Sequence, residues 1–381
     1  MYSIAGYGEM IADEVRMDAY SRALQRAISP DSIVLDIGAG TGICSLLACR
    51  YGARKVYAVE PSSAIGIAEE SARSNGFSDR ITCIQALSTE VELPEKANVI
   101  VSDLRGVLPL FTQHLPSIID ARRRLLAPGG NLIPKRDVLW AAVVASPQQY
   151  DSLMNPWARE RFEFDMDAAS KFVTNVWKKA RVSPNQLLTQ PYCWSTIDYL
   201  TVASADVSGQ MTLQVAHPGT AHGFVVWFDA VLENGVGFSN APGQPELIYG
   251  SGFFPWSSPV DLAPEDIVSI NLRADLIGPD YIWSWETRVH EKSSGRAKAY
   301  FQQSTFLGTP LSPVQLRKRS ANYRPKLKDD GELDLFIIHL MDGTRSNEEI
   351  AEIVMGRFPS RFPHQHNVLT RITDLTEKYS Q

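Results

Sequence analysis

Asp36, Gly38, Gly40 and Gly42 stand at every second position after the short apolar run Ile33-Val34-Leu35, and Glu60 follows 24 residues beyond Asp36. Glycines at such a turn let the backbone bend sharply and let a ligand approach with no Cβ in the way. Ile43 to Tyr51 then reads as a helix and Val56 to Val59 as a second apolar strand ending at Glu60. This is one strand–turn–helix–strand unit of a parallel sheet. A phosphate loop would carry Lys-Ser/Thr after the last glycine, where this chain has Ile43-Cys44. A carboxylate beside the turn would repel a pyrophosphate and suits a cationic or amine-bearing ligand. Glu60, followed by Pro61, is placed to accept hydrogen bonds from ribose hydroxyls. A cationic amino-acid part joined to a ribose describes S-adenosylmethionine (SAM), with S-adenosylhomocysteine as the product of methyl transfer.

The remaining elements must position these groups. Residues 1–30 read as helix, with Met10, Ile11, Val15, Tyr20, Ala23, Leu24 and Ile28 as apolar positions at helical spacing. Arg16 on that helix offers a planar fork that pairs with a carboxylate such as the one SAM carries. Ser88 and Thr89 lie after the strand Ile81 to Ala86, where a loop would edge the adenine. Asp103 lies just past the strand Val99 to Val101, where folds of this kind place substrate chemistry, and would orient or deprotonate an acceptor. Tyr2, Tyr7, His114 and Trp256 would line the mouth of that site. Residues 31–134 thus form a Rossmann-like cofactor domain of α/β class, with Leu115 to Leu126 helical and Pro128-Gly129-Gly130 a turn.

After Pro134 strand-like stretches dominate, at 138–145, 193–203, 208–216, 222–232, 266–275 and 281–290, as in a β-barrel or sandwich spanning 135–310. The interval from about 150 to 190 holds Trp157, Phe162, Phe164, Trp177 and Leu187 on a polar background, the texture of an arm that packs on a second subunit or on its own barrel. A third texture follows: basic from Leu316 to Lys328, then helical over Glu332 to Met341, from the capping box Ser346-Asn347-Glu348-Glu349, and over Asn367 to Tyr379. Residues 316–381 therefore read as a small helical, winged-helix-like module.

Composition narrows the class. With 381 residues, two to three domains are expected. A net charge of −6 provides no global field for nucleic acid. Cys44, Cys49, Cys83 and Cys193 have no metal-ligand spacing and read as residues of a reducing, cytoplasmic setting. No apolar run approaches the roughly 20 residues of a membrane span.

Residues 1–305 resemble the protein arginine methyltransferases. Glu9-Met10-Ile11-Ala12-Asp13-Glu14-Val15-Arg16 is similar to that family's cofactor-covering helix. Asp36, Gly38, Gly40 and Gly42 match its first motif, Glu60 its ribose acid, and Thr89-Glu90-Val91-Glu92-Leu93-Pro94 its adenine segment. The resemblance implies a SAM-dependent methyltransferase, a dimerisation arm over 150–190 and a homodimer. It also implies two substrate glutamates, which fall on Asp103 and on the uncharged Thr112, and a Thr-His-Trp element, which falls on Phe254-Pro255-Trp256. The acceptor pocket therefore departs from the family pattern. Residues 316–381, with Leu340-Met341-Asp342-Gly343-Thr344-Arg345-Ser346, resemble PqqD-like domains, which recognise the leader peptides of ribosomally made, modified peptides. Together these imply methylation of a precursor peptide at a nitrogen or a carboxylate oxygen. An arginine methyltransferase with a divergent loop, a small-molecule methyltransferase and an inactive scaffold remain open.

Overall fold

A computed structural model of the chain describes residues 3–157, 163–362 and 364–380, so Tyr2 and Phe162 lie outside the described residues. The chain divides into two compact units, Met1–Pro310 and Leu311–Gln381.

The first unit opens with two helices, α1 (Ile4–Ala12) and α2 (Glu14–Ala27). Asp13 separates them: it ends α1 and caps α2, its side chain accepting from the Arg16 N–H. One face of α2 buries Ala19, Tyr20, Ala23 and Leu24 against the core. There follow β1 (Ile33–Ile37), α3 (Ile43–Arg50), β2 (Lys55–Val59), α4 (Ile65–Ser74), β3 (Ile81–Ile84), β4 (Ala97–Ser102), α5 (His114–Arg124) and β5 (Leu126–Ile133). The five strands form a parallel sheet in the order β3-β2-β1-β4-β5. All five residues of β1 are buried, which explains its unbroken apolar run apart from Asp36. The chain reverses its winding direction between β1 and β4, and ligands of such sheets bind outside the carboxyl ends of strands at that point. Asp36 and Asp103 both lie there. Pro128-Gly129-Gly130 sits within β5, where the pairing jumps from Leu126 to Asn131 and the intervening residues bulge out.

The rest of the unit is antiparallel. The arm region supplies α6 (Pro147–Met154) and α7 (Asp167–Val173), and one sheet runs β7 (Lys178–Ala180), β12 (Ser251–Leu262), β10 (Gly219–Glu233), β6 (Arg136–Val144) and β8 (Tyr192–Asp198), with β11 (Val236–Ser239) on β10. A second sheet runs β15 (Ala297–Ser304), β14 (Asp280–His290), β13 (Ile267–Ile277) and β9 (Val207–Gln214). The sheets meet through aromatic rings: Phe254 packs on Trp283 and Trp285, and Trp194 on Trp283. Sequence periodicity misses β12 because Pro255 and Pro259 interrupt it. Pro255 pairs with Gly223 beside a register shift, the place where a sheet tolerates a missing donor.

The second unit holds α8 (Pro313–Arg319), α9 (Asp329–Leu340), α10 (Asn347–Arg357) and α11 (Gln365–Tyr379). The capping box forms as expected, with Ser346 and Glu349 exchanging side-chain-to-backbone bonds. Leu333, Ile337, Ile350, Val354, Val368 and Ile372 make its core. Among the described residues it has no strand, so the winged-helix expectation holds for the helices and not for a wing.

Candidate active site

A cavity of about 620 Å³ opens at the carboxyl ends of β1, β2 and β4, under α1 and the start of α2. That volume lies within the roughly 300–1,000 Å³ usual for small-ligand sites. Its wall includes Arg16, Asp36, Gly38, Gly40, Glu60, Pro61 and Ser88 from the cofactor expectation, and Tyr7, Asp103 and His114 from the acceptor expectation.

Gly38, Gly40 and Gly42 all have φ in the left-handed region, at 71°, 54° and 88°. A Cβ on Gly40 would stand 2.5 Å from the Tyr7 ring and one on Gly38 2.3 Å from Leu104. The turn is thus pressed between α1 and the segment after β4. Glu60 is fixed in orientation, accepting from the Gly40 N–H at 3.2 Å and the Ser62 N–H at 2.9 Å. Asp36 accepts from Ser45 Oγ at 2.7 Å and is 3% exposed. Burial pushes its carboxyl up to about 6, against the opposing hydrogen bonds from Ser45 and with help from Glu60. A cation arriving beside Asp36 would relieve that cost.

Arg16 and Asp103 meet directly. Arg16 Nε donates to Asp103 Oδ2 at 2.7 Å and Nη2 reaches the same oxygen at 2.6 Å. Tyr249 OH donates to Oδ2 at 2.5 Å, and Arg105 Nη1 to Oδ1 at 3.1 Å. Three of these donors crowd Oδ2 and one meets Oδ1, so Oδ2 has no lone pair left for a further partner. Burial works to raise the Asp103 pKa, but Arg16 and Arg105 overcome it and hold the group at about 2. A carboxylate so stabilised is a poor base, and it holds Arg16 at the cavity wall.

Arg105 extends the network inward. Its Nε and Nη2 bind both oxygens of Asp137 at 2.8 and 2.9 Å, and Nη1 donates to Tyr20 OH at 2.8 Å. The side chains of Arg105 and Asp137 are fully enclosed, and the guanidinium lies 5.5 Å from the Phe228 ring centre. Tyr199 OH donates to Asp137 Oδ2 at 2.5 Å, and His114 Nε2 meets Tyr199 OH at 3.0 Å. The Tyr199 proton is committed to Asp137, so His114 Nε2–H is the donor in that last bond. Burial, with Arg105 adding to it, depresses the His114 pKa to about 3, so the imidazole is neutral.

Two of the expected residues lie outside the cavity wall. Trp256 is fully buried within β12, packed against Phe301 in the barrel core, and does not line the cavity. The barrel segment that does reach the site is Leu247-Ile248-Tyr249: Tyr249 binds Asp103 and Arg16, and the Ile248 N–H donates to Asp13 at 2.8 Å. Thr89 is exposed and outside the lining, because the chain turns outward after the buried Ser88. Sequence reasoning missed Arg105, Asp137, Tyr199 and Tyr249. For one of them a signal existed: Asp137 is a charge at the edge of the apolar run of β6.

The acceptor-side loop is uncharged. Phe111, Thr112 and Gln113 line the cavity. Thr112 has φ 39°, uncommon for a β-branched residue, and Gln113 anchors the loop by donating to the Gly278 carbonyl at 3.0 Å.

Comparison with known proteins agrees with this geometry. Residues 135–269 match the arginine methyltransferase oligomerization subdomain, and residues 21–134 match the ribosomal protein L11 methyltransferase (PrmA) family. Protein arginine N-methyltransferase 1 of Dictyostelium discoideum is 31% identical over 242 residues, 61% of this chain and 71% of that protein. Protein arginine N-methyltransferase 6 of Xenopus tropicalis is 32% identical over 253 residues, 63% of this chain and 74% of that protein. Among solved structures, Arabidopsis thaliana protein arginine methyltransferase 10 superposes with a TM-score of 0.71 at 22% identity, covering 80% of this chain and 98% of that one. The Trypanosoma brucei PRMT1 enzyme–prozyme complex with AdoHcy also gives 0.71, at 23% identity, covering 78% and 96%. With relatives above 30% identity covered over more than two thirds of their length, the same fold, and a cavity walled by the glycine turn and its two flanking acids, this chain belongs to the protein arginine methyltransferase family and is a methyltransferase that uses SAM.

Proposed function

We propose that the enzyme methylates a peptide, a ribosomally made precursor of a modified natural product, at a nitrogen or a carboxylate oxygen and not at an arginine guanidinium. The observation that carries this is the state of Asp103. A guanidinium acceptor needs carboxylate oxygens free to receive it bidentately, and those of Asp103 are taken by Arg16, Arg105 and Tyr249. The second family acid is Thr112, which carries no charge.

SAM supplies an electrophilic methyl on a sulfonium. The residues then divide as follows. Glu60 holds the ribose hydroxyls, since its two oxygens are already aimed by Gly40 and Ser62. Arg16 faces the amino-acid carboxylate while anchored on Asp103. Asp36 balances the positive end, and Ser88 borders the adenine. Methyl transfer is an in-line displacement, so alignment supplies much of the rate, up to about 7–11 kcal/mol for well-oriented groups. Neutral His114, Tyr7, Phe111 and Thr112 frame the acceptor. A carboxylate acceptor needs no deprotonation there, and an amine would react as its free base and release one proton to solvent after the transfer.

The helical unit from Leu311 serves as the peptide-recognition module, by its resemblance to PqqD-like domains. The match to an oligomerization subdomain supports the reading of 150–190 as an arm that engages a second copy. Arginine methylation with a divergent loop is the second reading, favoured by the named relatives. Incubating the enzyme with labelled SAM and paired peptides, one Arg-rich and one with every Arg replaced by Lys, Gln or Asp, separates the two. A mass gain of about 14 Da, roughly one CH₂, mapped to Arg would overturn the proposal.

A further inference from the structure

The twelve residues from Arg317 to Lys328 contain Arg317, Lys318, Arg319, Arg324, Lys326 and Lys328 and no acid, while the remainder of the chain carries 31 basic and 43 acidic residues. This positive island lines a groove of about 500 Å³ within the second unit, bounded by Lys318, Tyr323, Pro325, Lys326, Leu327 and Lys328, with Asp330 at one edge. Tyr323 is half-buried and Leu327 is exposed, so the cations surround apolar surface. The backbone beside them is open as well. Arg324 to Leu327 belong to no helix or strand, and no hydrogen bond among the described residues engages their backbone groups.

We infer that this groove docks an acidic, partly apolar peptide segment in extended form, which on the reading of the enzyme as a peptide methyltransferase belongs to its substrate outside the methylated residue. Cations recruit the carboxylates, Tyr323 and Leu327 take apolar side chains, and the free N–H groups of Arg324, Lys326 and Leu327 pair with peptide carbonyls. A nucleic acid fits less well: the unpaired backbone groups of 324–327 suit the main chain of an extended peptide, and Leu327 offers a base no stacking face. Like charge over the rest of the surface disfavours non-specific adhesion of an acidic peptide and leaves this island as its landing place.

The test uses the full-length chain and fluorescence anisotropy. The probe is a labelled peptide of three Ser-Glu-Leu-Glu repeats, compared with its Ser-Gln-Leu-Gln counterpart, an oligo-U RNA and phosphatidylserine vesicles. The Glu peptide is expected to bind at least about tenfold more tightly than the Gln peptide, a difference of about 1.4 kcal/mol. Binding weakens as salt rises from about 50 to about 300 mM. The triple variant Lys318→Glu, Lys326→Glu, Lys328→Glu loses at least about tenfold while its helical circular dichroism and SAM affinity stay those of the parent. Leu327→Pro, which removes one backbone donor, weakens the Glu peptide without changing charge. Absent binding, equal binding of the Gln peptide or by the triple variant, or tighter binding of RNA or vesicles overturns the inference. Because anisotropy needs no methyl transfer, docking that persists with no methylated peptide would refute the peptide-methylation reading and leave the groove assignment standing.

Discussion

SAM affinity is predicted to rise with pH through the range where Asp36 ionises. Asp36 is held at about 6 by burial, while an unfolded chain would ionise it near 3.9. The sign is opposite to that of a salt-bridged aspartate. The folded apo-enzyme holds the proton more tightly than the unfolded chain, so its stability falls as pH rises from about 4 to about 6 and is level above. The shift of about 2 units corresponds to about 3 kcal/mol of strain at neutral pH. A bound cation beside Asp36 recovers part of that by favouring the carboxylate, so binding releases a proton below the apo pKa. Affinity should then be about tenfold weaker at pH 5 than at pH 7, with roughly 0.9 proton released per SAM at pH 5 and roughly 0.1 at pH 7. Over that range the cofactor's own carboxylate and amine stay mostly in one charge state. Calorimetry in two buffers of different ionisation enthalpy reads both quantities. Asp36→Asn should bind SAM more weakly at pH 7 and show no slope between pH 5 and 7. A flat curve for the parent enzyme, or a slope that survives in Asp36→Asn, refutes the placement of Asp36 beside the positive end.

Glu60→Ala should weaken SAM binding by about 1.5–3 kcal/mol, the range for hydrogen bonds to a charged group; unchanged calorimetric affinity would remove Glu60 from the ribose. Arg105→Met strands Asp137 in a fully buried site and should cost about 3–5 kcal/mol in urea unfolding. Arg105→Met with Asp137→Asn, which keeps an acceptor for Tyr199 without the lone charge, should recover most of it. Deleting Leu311–Gln381, a compact unit in itself, should leave SAM affinity intact and raise KM for the peptide, so an unchanged KM would make the unit structural.

The cofactor half was legible because its information is local. A buried strand, three glycines at positive φ and a second buried strand ending in an acid lie within 28 residues, Ile33 to Glu60. Each choice there follows from backbone sterics or burial and needs no distant partner. The barrel was legible only where strands alternate. β13 and β14 carry the inward-outward burial pattern over most of their length. β12 does not, because its prolines are tolerated only through a register shift against β10.

The acceptor side was the least legible, for a reason that Arg105 makes plain. Taken along the chain, Asp103 is an acid at a strand end, which is where a catalytic carboxylate belongs. What it does depends on donors 87, 2 and 146 residues away in sequence, from Arg16, Arg105 and Tyr249. Two of these separations exceed any helix or strand period, and the third falls in a segment that is neither helix nor strand, so no periodicity reports them. Arg105 itself is readable only together with Asp137, which removes its charge from the balance and lets it sit between two carboxylates and two aromatic rings. An arginine in that position converts Asp103 from a group that waits for a cation into one that already holds two. In this arrangement a cation could engage both oxygens of Asp103 only by displacing Arg16 or Tyr249 from Oδ2.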